Sequence, residues 1–122
     1  MTQTSHQRLG KWGEETAARY LAAHGHQILE TNYRTPYGEI DLITRLGDAI
    51  IFVEVKTRSS PTLGMPEISV TPRKKLHMIQ SAEYYIQQHS QASDTWRIDV
   101  IAVQRHKSDQ TPEITHFENA IA

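Results

Sequence analysis

The sequence contains no cysteine. It therefore has no disulfide framework, no thiolate metal site and no cysteine nucleophile, which suits a reducing compartment. It also has no apolar run near the roughly 20 residues that a membrane-spanning helix needs. Its first residues, MTQTSHQRLGKW, lack the apolar stretch of a secretory signal and the arginine richness of a transit peptide. We therefore expect a cytoplasmic protein with no membrane span.

The chain also lacks a large net charge. Its 13 basic and 14 acidic residues leave a formal charge of -1, which argues against a protein that binds nucleic acid through overall positive charge. Most basic residues nevertheless lie before residue 76. Those that could contact phosphate are Arg58, Arg73, Lys74 and Lys75. The alternative for the run at 73–75 is a solvated helix end.

Hydrophobic periodicity predicts two helices and five strands in one domain, residues 1–122, of which 1–5 are expected to be flexible. The helices are predicted at 7–24 and 72–89, and the strands at 27–34, 95–103, 114–117 and in a hairpin over 38–58. Residues 59–69 hold two prolines and a glycine and are predicted to be a loop. The order α-βββ-α-ββ indicates an α/β protein with a mixed sheet flanked by helices.

The hairpin, GEIDLITRLGDAIIFVEVKTR, contains four ionisable residues within its apolar pattern: Glu39, Asp41, Glu54 and Lys56. The Gly47-Asp48 pair is typical of a two-residue turn, which would place Asp41 opposite Glu54 on the same face. Alternation also predicts Ile40 and Leu42 on one face with Val53 and Val55, and Ile43 on the other with Ile50 and Phe52.

Two opposed carboxylates repel and resist desolvation unless a proton, a cation or a lysine compensates them. Mg²⁺ or Mn²⁺ would do so, because both ions take carboxylate ligands and accept substrate phosphate in their remaining positions. Lys56 could then hold or activate the attacking water. The alternative is an ordinary edge strand whose Glu54 and Lys56 are partly exposed.

Helix one adds a further acidic candidate. Glu14 falls on the stripe that contains Ala17, Ala18 and Leu21. It could belong to the site, or it could simply be an acidic residue near a helix start, where the helix dipole favours it. Asp99 could join the site or pair with Arg97.

Several stretches together resemble a known family: GKWGEETAARYLAAHGHQILETNYR, GEIDLI, FVEVKTR and RIDVIAV are similar to the YraN-type proteins over nearly the whole chain. That family resembles archaeal Holliday-junction resolvases and the PD-(D/E)XK nuclease superfamily. The resemblance implies a restriction-endonuclease-like core of helix, three strands, helix and strand.

The resemblance also implies roles for individual residues. The superfamily's first-strand acidic residue falls on Asp41, its Glu-x-Lys on Glu54 and Lys56, and the resolvase-like helical glutamate on Glu14. Ile40 stands where the superfamily has its namesake proline. The resemblance does not imply an activity, because similar cores also occur in members that bind nucleic acid without cutting it.

The leading hypothesis is a metal-dependent endonuclease acting on DNA, with Asp41, Glu54 and Glu14 around Mg²⁺ or Mn²⁺ and Lys56 beside the nucleophile. The alternative is a non-catalytic nucleic-acid-binding or adaptor domain, which the absence of a basic excess favours. A carbohydrate hydrolase is a weaker third, because Glu-x-Lys does not separate an acid and a base by a sugar. Junction-cutting relatives act as dimers, so a homodimer is expected.

Overall fold

The first helix, α1 (Ser5–Ala23), begins at a capping box. The Thr4 side chain accepts the Gln7 N–H, and the Gln7 side chain accepts the Thr4 N–H. The structure, a computed structural model, describes residues 3–59, 70–89, 95–105 and 111–121. The helix starts two residues earlier than predicted, because the capping box precedes its first apolar residue. Gly25, with φ of 90°, follows its end as expected.

The second helix, α2 (Pro72–Gln88), starts where the sequence predicts. Thr71 accepts the Lys74 N–H through its hydroxyl, and Pro72 occupies the first turn, where no N–H is needed. The helix ends one residue before the predicted position. No helix within the described residues is long and apolar enough to cross a membrane.

The five strands form one mixed sheet in the order β1-β2-β3-β4-β5. Their bounds are β1 Gln27–Thr35, β2 Gly38–Leu46, β3 Ala49–Arg58, β4 Trp96–Gln104 and β5 Glu113–Ile121. β3 and β4 run parallel on either side of α2 in the chain, and the other neighbours are antiparallel. The predicted order α-βββ-α-ββ is confirmed, and it is that of a restriction-endonuclease-like core.

The fifth strand is longer than predicted. It continues past Phe117 to Ile121 and pairs with almost all of β4, with a register shift near Asn119, whose φ is 50°. Residues 118–120, Glu-Asn-Ala, show no alternation of polar and apolar side chains, so the sequence pattern alone predicts too early an end for the strand. Most of the predicted loop at 59–69 and of the polar turn before β5 lies outside the described residues.

The two helices cover opposite faces of the sheet. Residues Ala17 and Leu21 of α1 pack with Leu42, Ile51 and Val53 on one face. On the other face, Ala82 and Tyr85 of α2 pack in a second cluster with residues such as Phe52 and Ile98. Because both faces are covered, the central strands are apolar on both sides, as the hairpin pattern requires. Trp12 and Trp96 are partly buried and pack against these clusters.

Candidate active site

The hairpin register brings the charged residues to one end of the sheet. Its pairs run from Leu46–Ala49 beside the Gly47-Asp48 turn to Leu42–Val53, as the sequence predicts. The ladder ends there, one position before the predicted pair of Asp41 and Glu54. Beyond that point Oδ2 of Asp41 accepts the backbone N–H of Val55 at 2.8 Å. Where the two strands separate, the Asp41 side chain therefore accepts the Val55 N–H in place of a backbone carbonyl of β2.

The predicted assignment of side chains to faces is wrong at this point. Ile40 packs in the α2-side cluster together with Ile43, whereas Leu42 packs in the α1-side cluster. Asp41 lines a cavity beside α1 and does not share a face with Ile43. On β1, Asn32 lies between Thr31 and Tyr33, which pair with Leu42 and Ile40, and its φ of 49° is in the left-handed region. The regular alternation of side chains on β2 fails beside this irregular position.

The α1-side cavity, which we call the site cavity, has a volume of about 240 Å³. The three predicted acidic residues, Glu14, Asp41 and Glu54, all line it, together with Val55 and Thr57. We call the first three the carboxylate cluster. It combines side chains from α1, β2 and β3.

A glycine allows α1 to come this close to β3. A Cβ atom built on Gly13 would overlap the Thr57 side chain, so any larger residue forces the helix away from the strand. Gly13 is buried, and the next residue along the helix is Glu14. The close contact of Gly13 with Thr57 therefore sets the distance of Glu14 from the strand that carries Glu54.

Negative charge accumulates in the cluster. Burial, together with the neighbouring charges of Glu54, Glu14 and Glu39, raises the pKa of Asp41 to about 7, against the opposing effect of the Val55 N–H. A carboxyl group with this pKa is partly protonated near neutral pH. A bound cation would remove the repulsion and keep Asp41 ionised.

Two lysines partly neutralise Glu54. The Lys74 ammonium lies 3.0 Å from Oε1 of Glu54, and the Lys56 ammonium lies 3.9 Å from the same oxygen. The Glu54 side chain is only 12% exposed, so both contacts act where water screens poorly. Lys56 is placed beside the cluster by the β3 pleat, whereas Lys74 reaches it from the first turns of α2.

Asn32 is a site residue that the sequence analysis missed. Its Nδ2 donates hydrogen bonds to Oε1 of Glu14 and Oε1 of Glu39, both at 3.0 Å. It thereby connects the helical glutamate to Glu39 at the start of β2. The signal was present in "TNYR", because asparagine is depleted in strands and tolerates a left-handed backbone.

The remaining predicted residues lie outside the cluster. Arg58 is exposed at the end of β3, where its carbonyl accepts the Arg105 N–H. Arg73 and Lys75 are exposed in the first turn of α2. All three are exposed on the surface at element ends.

Asp99 does not join the cluster. It is fully buried, and it accepts hydrogen bonds from Arg97 at 2.9 Å, from the Asn119 N–H at 2.9 Å and from His116 at 2.8 Å. Burial alone would raise the pKa of Asp99, but these donors hold it below its ordinary value. His26 of the "HGH" stretch lies beside this network and bonds to Thr44 at 2.8 Å. Asp99 is therefore a structural carboxylate.

The donor set of the cluster suits a hard divalent cation. Carboxylate oxygens are preferred by Mg²⁺ and Mn²⁺. Within the described residues no group of three or more acidic or histidine side chains is arranged tightly enough to enclose an ion. Mg²⁺ does not need such a cage, because it usually takes one or two carboxylates and keeps waters and substrate phosphate as its other ligands. Asp41 and Glu54 would be its protein ligands.

Most of the chain is similar to proteins of one known family. Residues 13–103, which include every residue of the carboxylate cluster, match the model of "Uncharacterised protein family UPF0102". The chain belongs to family UPF0102. A UPF0102 protein of Moorella thermoacetica is 42% identical over 120 residues, covering 98% of this chain and 99% of the relative.

Two other UPF0102 proteins are similarly close. That of Dehalococcoides mccartyi is 42% identical over 112 residues, with 92% of this chain and 91% of the relative covered. That of Syntrophus aciditrophicus is 46% identical over 100 residues, with 82% and 79% covered. The UPF0102 match begins at Gly13 and ends within β4, so it spans the helix, hairpin and central strands that build the cluster.

Proposed function

We propose that this UPF0102 chain is a metal-dependent endonuclease that hydrolyses phosphodiester bonds in DNA, including branched DNA. One observation carries the proposal: Asp41 and Glu54 line one cavity at the point where β2 and β3 part, and burial together with the Glu54 charge raises the pKa of Asp41 to about 7. An unfavourable pair of carboxylates is explained if a cation binds between them.

In this proposal each residue of the site has a separate role. Asp41 and Glu54 supply carboxylate oxygens to Mg²⁺ or Mn²⁺, and Glu14 orients water on the α1 side of the cavity. The bound ion would polarise the phosphate and lower the pKa of the attacking water. Asn32 holds the Glu14 carboxylate in place through its 3.0 Å hydrogen bond.

The lysines have positions suited to phosphate chemistry. Lys56, whose side chain is 31% exposed, can donate to the attacking water or to a phosphate oxygen. Lys74 can exchange its contact with Glu54 for substrate phosphate when a cation takes its place on that carboxylate. Arg73 and Lys75 follow Thr71 at the α2 N-terminus, where the helix dipole also favours an anion. Arg58, exposed at the end of β3, is a further candidate for a phosphate contact.

One observation favours the alternative, a domain that binds nucleic acid without cutting it. The Lys74 ammonium at 3.0 Å already supplies a positive charge to Glu54. A protein that uses this ion pair for stability would have no need of a metal. The two functions differ in whether cleavage depends on Asp41 and Glu54.

The experiment is a cleavage assay on labelled four-way-junction, flap, duplex and single-stranded DNA with Mg²⁺ or Mn²⁺. The wild type is compared with an Asp41→Ala, Glu54→Ala double variant. The endonuclease proposal expects cleavage of at least one substrate by the wild type and none by the variant. Equal binding by both proteins with no cleavage would favour the non-catalytic domain. For symmetric cutting of a junction, two related sites are needed, and the proposal then includes a homodimer.

A further inference from the structure

A second cavity lies on the α2 side of the sheet and shares Glu54 with the site cavity. Its volume is about 140 Å³. Its wall is formed by Phe52 and Ile98 from the sheet and by Lys74, His77 and Ser81 from α2, with Tyr37 at the β1–β2 turn. Glu54 thus borders both cavities, so a ligand in the second cavity is adjacent to the carboxylate cluster.

The lining and volume of the cavity are suited to a flat aromatic ring. Phe52 and Ile98 are buried and give it an apolar floor, whereas Lys74 and His77 are exposed at its edge. Apolar walls with a few polar groups are typical of small-ligand sites. A dry apolar cavity of roughly 150 Å³ accommodates benzene in another protein, so about 140 Å³ is enough for a six-membered ring.

Tyr37 is held at this cavity by a network of hydrogen bonds. The Thr35 hydroxyl donates to the Gly38 carbonyl at 2.8 Å and accepts the Tyr37 N–H at 3.0 Å. The buried Ser81 hydroxyl lies 2.9 Å from the same Thr35 oxygen and donates to it, because the Thr35 hydrogen is already used. α2 therefore fixes the turn that carries Tyr37.

The backbone conformation of this turn also limits which residues can replace Gly38. Gly38 has φ of 142°, which side-chain-bearing residues rarely adopt. Tyr37 is 45% exposed, although hydrogen bonds fix the backbone of its turn. An exposed aromatic ring on a fixed turn beside a cavity is suited to stacking on a nucleobase.

We propose that this second cavity, which we call the base cavity, takes one unpaired nucleobase of the DNA strand, with Tyr37 stacking on it. The inference rests on the proposed function, since it places the base beside the phosphate that the carboxylate cluster would cleave. Glu39, whose side chain is 41% exposed, also lines the base cavity and can accept hydrogen bonds from an exocyclic amine. Lys74 lines the same cavity and contacts Glu54 at 3.0 Å, so its ammonium can meet the backbone phosphate of the same nucleotide.

The base cavity predicts a substrate class. A base that is paired and stacked within a perfect duplex cannot enter it without being extruded, which costs free energy. A base at a flap, a branch point or in a single strand is already unpaired. The substrate is therefore DNA with at least one unpaired nucleotide next to the cleaved bond.

The test measures binding with EDTA present, so that no metal-dependent cleavage takes place. Fluorescence anisotropy gives the dissociation constants of a labelled flap and a matched series in which an abasic nucleotide replaces each unpaired position in turn. Loss of one base stack is expected to weaken binding about 5- to 150-fold at one position. Tyr37→Ala should remove this sensitivity. Leu76→Ala is the matched control, because Leu76 is the other large apolar residue exposed in the described part of the chain and does not line the base cavity.

Three results would overturn the inference: equal affinity for the intact and all abasic flaps, unchanged position sensitivity in Tyr37→Ala, or no binding to any of the oligonucleotides. The cleavage assay in Mg²⁺ is run separately. Cleavage of perfect duplex, with no loss of binding at any abasic position, would refute the base-binding proposal and support the endonuclease proposal. Position-specific loss of binding without any cleavage would support the base-binding proposal and refute the endonuclease proposal.

Discussion

Replacing Asp41 with asparagine is expected to stabilise the metal-free protein. The folded protein raises the pKa of this carboxyl group from 3.8 to about 7, so the native state binds its proton more tightly than the unfolded chain does. Stability from this group is then present at low pH and falls as the pH rises from about 4 to about 7. At pH 8 the penalty has its full value, since Asp41 is ionised in both states.

The size of the penalty follows from the shift. At about 1.4 kcal/mol per pKa unit, holding Asp41 ionised costs on the order of 4 kcal/mol at pH 8. Asparagine carries no charge, and its amide oxygen can still accept the Val55 N–H that Oδ2 of Asp41 accepts at 2.8 Å. We expect Asp41→Asn to gain about 2 to 4 kcal/mol at pH 8, and the midpoint of thermal unfolding to rise by about 6 to 15 °C.

Urea and thermal unfolding in EDTA at pH 8 and pH 4.5 provide the assay. At pH 4.5 the gain should fall to about 1 kcal/mol, because the wild-type carboxyl is then protonated in the native state. Asp48→Asn is the matched control: Asp48 is exposed in the hairpin turn, and the same chemical change there should alter stability by less than about 0.5 kcal/mol. The reasoning is refuted if Asp41→Asn does not stabilise the protein at pH 8, or if its gain is the same at both pH values.

Three further predictions concern the metal, the helix contact and the buried carboxylate. Mn²⁺ at 100 times its dissociation constant should stabilise the wild type by about 2.7 kcal/mol in thermal unfolding and leave Asp41→Asn unchanged, and an equal shift in both would place the ion elsewhere. Gly13→Ala should cost about 1 to 3 kcal/mol and weaken the Mn²⁺ effect, because its Cβ would overlap Thr57. Gly10→Ala, whose Cβ would meet nothing within 4 Å, should instead stabilise by about 0.5 to 1 kcal/mol, and similar unfolding curves for the two variants would contradict this explanation. Asp99→Asn should cost about 1.5 to 3 kcal/mol in urea unfolding, because a neutral amide at this buried position accepts more weakly from Arg97, His116 and the Asn119 N–H, and a neutral result would show that the buried network is dispensable.

Much of the hairpin could be predicted from the sequence. The Gly47-Asp48 turn determines the register, and the apolar run around it requires a sheet covered on both faces. Both features depend on local turn chemistry and on a period of two, which a sequence displays directly. The acidic residues at the open end of the hairpin were visible for the same reason.

The failures lie where the period of two is broken. Ile40 was assigned to the wrong face because the alternation changes at Asp41, beside the left-handed Asn32 on β1. A backbone irregularity in one strand cannot be predicted from the amino-acid sequence of the neighbouring strand. The contact of Lys74 with Glu54 was also invisible, since it joins α2 to β3 across residues that have no local pattern. Asn32 was missed because its two carboxylate partners come from α1 and β2.

The central claim is that Asp41 and Glu54 form a metal-dependent catalytic site, and one measurement tests it most directly. Single-turnover cleavage of a labelled DNA flap in Mn²⁺ should be compared for the wild type, Asp41→Asn and Asp48→Asn, with each protein shown to be folded at the assay temperature. The account predicts that Asp41→Asn loses at least about 10³-fold in rate, since metal-assisted activation contributes several kcal/mol, although without metal it is the most stable of the three. Cleavage by Asp41→Asn at the wild-type rate, or no metal-dependent cleavage by the wild type on any DNA structure, would contradict it.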